Sequence, residues 1–131
     1  MEIAEQLATY LSNNNIGSYT PDDVTGNIFI DNLPETTDCI AIFNTSGTSS
    51  DLLDYSVAGI QIYYRGNTNP IESYKQANKI FRMIHRKHGK LVESHIVDCY
   101  SPTSSVMHIG KDSNENHEYS MNFQISYLRE D

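Results

Sequence analysis

The sequence predicts an α+β fold in which a mostly antiparallel or mixed β-sheet carries its helices on one face. Three observations predict it. Tyr119, Met121, Phe123, Ile125 and Tyr127 alternate strictly with Glu118, Ser120, Asn122, Gln124 and Ser126, the period of a strand buried on one side. Residues 70–88 instead repeat apolar side chains at helical spacing between a start and a stop signal. Elsewhere short apolar runs are bounded by Asp, Asn, Pro and Gly, as strands are.

Taken in order, Ile3, Leu7, Tyr10 and Leu11 share a helical face, and the Asn13-Asn14-Asn15 run allows the chain to leave it, so residues 2–12 read as a short amphipathic helix. Asn27-Ile28-Phe29-Ile30 and Cys39-Ile40-Ala41-Ile42-Phe43 read as strands, and their nearly continuous apolar character predicts cover on both faces. Residues 44–54, rich in Ser, Thr, Gly and Asp, read as a mobile loop. From Val57, Ile60, Ile62 and Tyr64 oppose Gln61, Tyr63 and Arg65 in a half-buried strand that ends at Arg65-Gly66-Asn67.

A helix over 70–88 follows. Asn69 can cap it, Pro70 suits its first position, Glu72 falls three residues after the cap, and Gly89 supplies a left-handed stop. Its apolar stripe reads as Ile71, Tyr74, Ala77, Phe81 and Ile84. Strands near residues 92–100 and 106–109, then a turn through 110–114, lead into the final strand. The predicted order is α-β-β-β-α-β-β-β. At 131 residues and 14.9 kDa, one domain over 1–131 is expected.

Hydrophobic residues make up 38% of the chain, enough to build a core. Seventeen acidic residues against nine Lys and Arg leave a formal charge of -8, which argues against a general grip on nucleic acid or an anionic membrane. The acidic start Met1-Glu2-Ile3-Ala4-Glu5 is unlike a secretory n-region, and no apolar run approaches the ~20 residues of a membrane span, so a cytosolic protein is expected. Cys39 and Cys99 lack metal-ligand spacing and read as buried thiols on strands.

The average charge conceals a division. Residues 70–90 hold Lys75, Lys79, Arg82, Arg86, Lys87 and Lys90 against Glu72, a local balance of +5, and the other three basic and sixteen acidic residues leave -13 on the rest. Lys75, Lys79, Arg82 and Arg86 follow steps of four, three and four, so one helix shows a basic ridge beside its apolar face. The ridge reads either as a solvated face with cations near a helix C-terminus or as a contact with an acidic surface, on nucleic acid or on another copy of the chain. Asp51 and Asp54 lie in the 44–54 loop outside any catalytic setting and are candidates for the acidic side of such a contact.

Catalytic motifs are absent from the sequence. Thr45-Ser46-Gly47-Thr48-Ser49-Ser50 lacks the Lys and second Gly of a phosphate-cradling loop, and no G-x-S-x-G elbow occurs. His85, His88 and His95 have no carboxylate or Cys to complete a ligand set. No enzyme, metal or cofactor is expected.

The strand ending in Tyr64-Arg65-Gly66, leading through Pro70 into a long helix, is one of several features in a recognisable order. Asn27-Ile28-Phe29-Ile30 with Leu33-Pro34 precedes it; Ser101-Pro102, His108-Ile109-Gly110-Lys111-Asp112 and Tyr119-Ser120-Met121-Asn122-Phe123 follow. The series resembles the tail terminator proteins of long-tailed bacteriophages, often labelled minor capsid proteins, over nearly the whole chain. It departs from them around Gly47, which lacks the family's prolines and second glycine, and at Asn116-His117, where a basic residue often precedes the last strand. The resemblance implies a virion structural protein: a homo-oligomeric ring, commonly a hexamer, that caps the tail tube, ends its polymerisation and meets the head-completion proteins of the neck. It implies host cytoplasm before assembly and the tail-neck junction after it, with no membrane and no specific nucleic acid, although DNA passes through such a ring. The residues alone leave open a small α+β regulatory or ligand-binding module that uses the ridge to contact an anionic partner.

Overall fold

The computed structural model describes residues 3–20, 26–49, 55–85, 87–88, 96–102 and 105–128. Helix α1 (Ile3–Asn13) is followed by strands β1 (Ile28–Ile30), β2 (Cys39–Ser49) and β3 (Tyr55–Arg65), then helix α2 (Pro70–Ile84) and strands β4 (Lys87–His88), β5 (Ile96–Tyr100), β6 (Met107–Lys111) and β7 (His117–Leu128). The sheet runs β1-β2-β3-β7-β5-β4, with β6 also paired to β7. Only the β1–β2 pair is parallel among these ladders, so the sheet is mixed and mostly antiparallel, as the sequence predicts.

Register explains the core. Ile42 pairs with Ile62 and Ile62 with Met121; Tyr64 pairs with Tyr119 and Ile60 with Phe123. Because strand residues directly opposite share a face, these side chains form one apolar row across three strands. They join Leu7 and Leu11 of α1 and Ile80, Phe81 and Ile84 of α2 in a single cluster, so both helices lie on that face. Both cysteines are buried and not joined in a disulfide, Cys39 on β2 and Cys99 on β5. Burial pushes the Cys39 thiol upward, with the Thr36 side chain and the Arg65 charge acting the other way.

β5 and β6 share one side of β7. Tyr100 pairs with Gln124 and Met107 with Ser120, so the two strands lie in succession along β7. At the other edge, the parallel β1–β2 pair is joined by only residues 31–38. Asp31 and Asp38, at φ 53° and 52°, turn the chain at both ends of that link. Asp31 is held there by its carboxylate, which accepts the Asn44 N–H at 3.0 Å.

Three expectations are corrected. Residues 44–49, read as loop, continue β2: Ser46 pairs with Gly59 and Ser49 with Ser56, after an irregularity between Asn44 and Ser46. Pairing with β3 satisfies these backbones whatever their side chains, and a Ser- and Thr-rich strand carries no apolar period to announce it. The remainder of that predicted loop, 50–54, lies outside the described residues. The second helix ends at Ile84 rather than 88, because Lys87 and His88 pair with Cys99 and Asp98 as β4, a strand absent from the predicted order. Finally, Ile71 and Tyr74, assigned to the apolar stripe, are exposed.

Candidate functional site

Helix α2 begins where its sequence dictates. The Asn69 side-chain oxygen accepts the N–H groups of Ile71 and Glu72 at 3.0 and 3.1 Å, satisfying two donors that have no partner within the helix. Beyond the cap, Ser73, Ala77, Ile80, Phe81 and Ile84 are buried. Ser73 fixes this rotation: its Oγ accepts the Asn67 N–H at 3.0 Å and lies 3.2 Å from the Asn67 carbonyl. A short polar side chain docked on the preceding turn therefore holds the place that the predicted stripe gave to Ile71 and Tyr74.

The outward flank of α2 carries Ile71 and Tyr74, exposed by 67% and 52%, beside exposed Lys75, Lys79 and Arg82. These residues line a groove of about 670 Å³ together with Pro70, Asn78 and Met83. Among the described residues none of the three cations is ion-paired. Of the predicted ridge, Arg86 lies outside the described residues, as do Asp51 and Asp54. The predicted ridge is thus brought together on α2 as far as Arg82, and beside it the helix exposes Ile71 and Tyr74, which helical spacing assigns to the interior.

A second polar assembly surrounds Arg65, which the sequence reading placed simply on an outward row. Its Nη2 meets Glu118 Oε2 at 2.8 Å and its Nε lies 3.4 Å from Asp112 Oδ2, while Nη1 donates to the carbonyl of Pro34. Glu35, Thr36, Arg65, Asp112 and Asn116 line a cleft of about 120 Å³ there. With Arg65 matched by Glu118 and Asp112, exposed Glu35 and Glu115 leave this end of the sheet acidic. The signal available in sequence was the polar row shared by Arg65 and Glu118, which becomes a pair only once β3 and β7 are in register.

The histidines separate. His85 ends α2, where its Nδ1 accepts the Ser101 N–H at 3.0 Å and its ring stacks on Phe81 at 4.8 Å. His95 lies outside the described residues, and no group of three His, Cys, Asp or Glu side chains able to hold a metal occurs among those described. His108 and His117, on β6 and β7, meet at 3.0 Å between Nε2 and Nδ1, next to Tyr119. Burial pushes the Tyr64 phenol well above its ordinary range, and the Asp38 carboxylate that its hydroxyl meets at 3.1 Å acts in the same direction. No helix is long and apolar enough to cross a membrane among the described residues.

An α+β chain whose accessible chemistry is a mixed basic and apolar helix face, with an acidic end elsewhere, has the features of a protein that works through contacts with other proteins. The family is specific: residues 10–129 match the model of the bacteriophage tail terminator protein, and the chain belongs to that family. It is therefore a structural component of the bacteriophage virion. No curated protein matches the chain.

Proposed function

We propose that the protein forms a closed ring, with six copies expected, that caps the tail tube, ends its polymerisation and offers the neck its docking surface. The family match over residues 10–129 carries this reading. The charge division supports it, because a ring is built by a head-to-tail interface in which two different patches of one subunit meet. The basic face of α2, Lys75, Lys79 and Arg82 with Arg86 beyond them in sequence, meets acid on a neighbour or on the neck, and Asp51 and Asp54 remain candidates for the acidic side. The acidic remainder faces the channel and keeps DNA from adhering.

The protein then resides at the tail-neck junction, reached from the host cytoplasm, and its partners are its own copies, the tail tube protein and head-completion proteins. Electron microscopy of particles lacking the protein is the direct test. Tails of uncontrolled length, unjoined to heads, are expected; normal virions would overturn the assignment.

A further inference from the structure

The rotation of α2 leaves an apolar surface that no element covers among the described residues. α1 occupies one flank of the helix, where the Tyr10 hydroxyl donates to the Met83 carbonyl at 3.1 Å. Around the helix from that contact, Ile71 and Tyr74 lie between the buried stripe and the cations, exposed by 67% and 52%. The surface continues toward β6: the Tyr74 ring is 6.3 Å from that of Tyr119, and Tyr119 is 5.1 Å from His108.

We propose that a second copy of this chain covers this flank, with Ile71 and Tyr74 as the buried anchors and Lys75, Lys79 and Arg82 set against the acidic surface of that copy. The proposal rests on the ring reading and names the face through which the ring closes. Charge complementarity selects the occupant, since outside residues 70–90 the chain carries a balance of -13. Exposed ion pairs contribute little to holding an interface, whereas a Tyr and an Ile removed from water supply the anchoring that the cations cannot. The copy sits on side chains rather than adding a strand to the sheet. β6 carries two of the devices that discourage strand addition, an irregularity between His108 and Gly110 and a Lys at its end. The contact is head-to-tail, because the flank meets a different, acidic patch.

Sedimentation velocity of the intact chain over a concentration series tests this, with Ile71→Ser and Tyr74→Ser as separate variants and circular dichroism to verify folding. The parent is expected to self-associate, and each variant to weaken association by about tenfold or more. Because Ile71 lies outside the core, its variant retains the fold even if loss of the Tyr74 contact with Tyr119 disturbs it. Undiminished association of folded Ile71→Ser overturns the proposal and leaves the ring reading standing. Oxidative footprinting supplies the second arm: Tyr74 is expected to become protected in rings of the purified chain. Protection that arises only when head-completion proteins are added assigns the flank to the neck and overturns it. A parent that stays monomeric at every concentration, on tails that carry no ring, removes the ring reading itself.

Discussion

The guanidinium of Arg65 grips the Glu118 carboxylate through two nitrogens, Nη2 at 2.8 Å and Nε at 2.9 Å from the same Oε2. The two residues are direct partners in the β3–β7 ladder. Arg65 also donates to the Pro34 carbonyl and sits beside Asp112, so one side chain that is 11% exposed ties the 31–38 link and the β6–β7 turn to the sheet.

Arg65→Ala is expected to destabilise the fold by about 1–3 kcal/mol, because Glu118 and the Pro34 carbonyl lose their charged donor at a half-buried site. Urea denaturation measures this directly. Arg65→Lys is expected to recover only a minor part, since one ammonium cannot reproduce the guanidinium fork.

The Asp112 carboxyl is held below its ordinary value near 3.8, first by the N–H of Asn116, with the Asn116 side-chain amide, the Asn114 N–H and the Arg65 charge adding to it and partial desolvation opposing. A depressed carboxyl contributes its stabilisation in full above the ordinary value and loses it as pH falls through the lower folded value. Protection of the Asn114 and Asn116 amides, measured against their intrinsic exchange rates, is therefore expected to fall in that acid window. Asp112→Asn should leave the same amides without this pH dependence.

Gly66 is sterically committed. A Cβ there would lie 2.4 Å from Ser73 Oγ and 2.7 Å from Ser73 Cβ. Gly66→Ala is expected to cost about 1–3 kcal/mol by forcing the start of α2 off its turn, read as a lowered thermal midpoint.

Asn69→Ala removes the acceptor for two helix donors and is expected to cost about 1 kcal/mol. Helical circular dichroism during thermal unfolding reports it.

Reversing charge at Lys79 and Arg82 together is expected to impair assembly of tails with heads, more strongly at low salt than at high salt. If the variant assembles like the parent at both salt concentrations, the ridge is a solvated face. Particle counts by electron microscopy across a salt series decide between them.

What the sequence determined by itself was whatever local periodicity and end signals encode. The alternation around Met121 and Phe123 places those residues on the core face of β7, and Asn69-Pro70 marks the first turn of α2. These signals survive because each concerns a residue and neighbours within about one turn or one strand repeat. The order of elements followed from them, apart from the two-residue β4.

Only tertiary structure decided the rest. Ser46 to Ser49 become strand because β3 offers them backbone partners, and α2 stops at Ile84 because Lys87 and His88 pair with β5. Ile71 and Tyr74 turn outward because Ser73 docks against Gly66 and Asn67, and Arg65 becomes a clamp only when Glu118 arrives opposite it. Helical spacing defines a stripe relative to its own axis. The rotation of that axis against the sheet, like the pairing partner of a polar strand, is fixed by contacts between distant residues that no local pattern records.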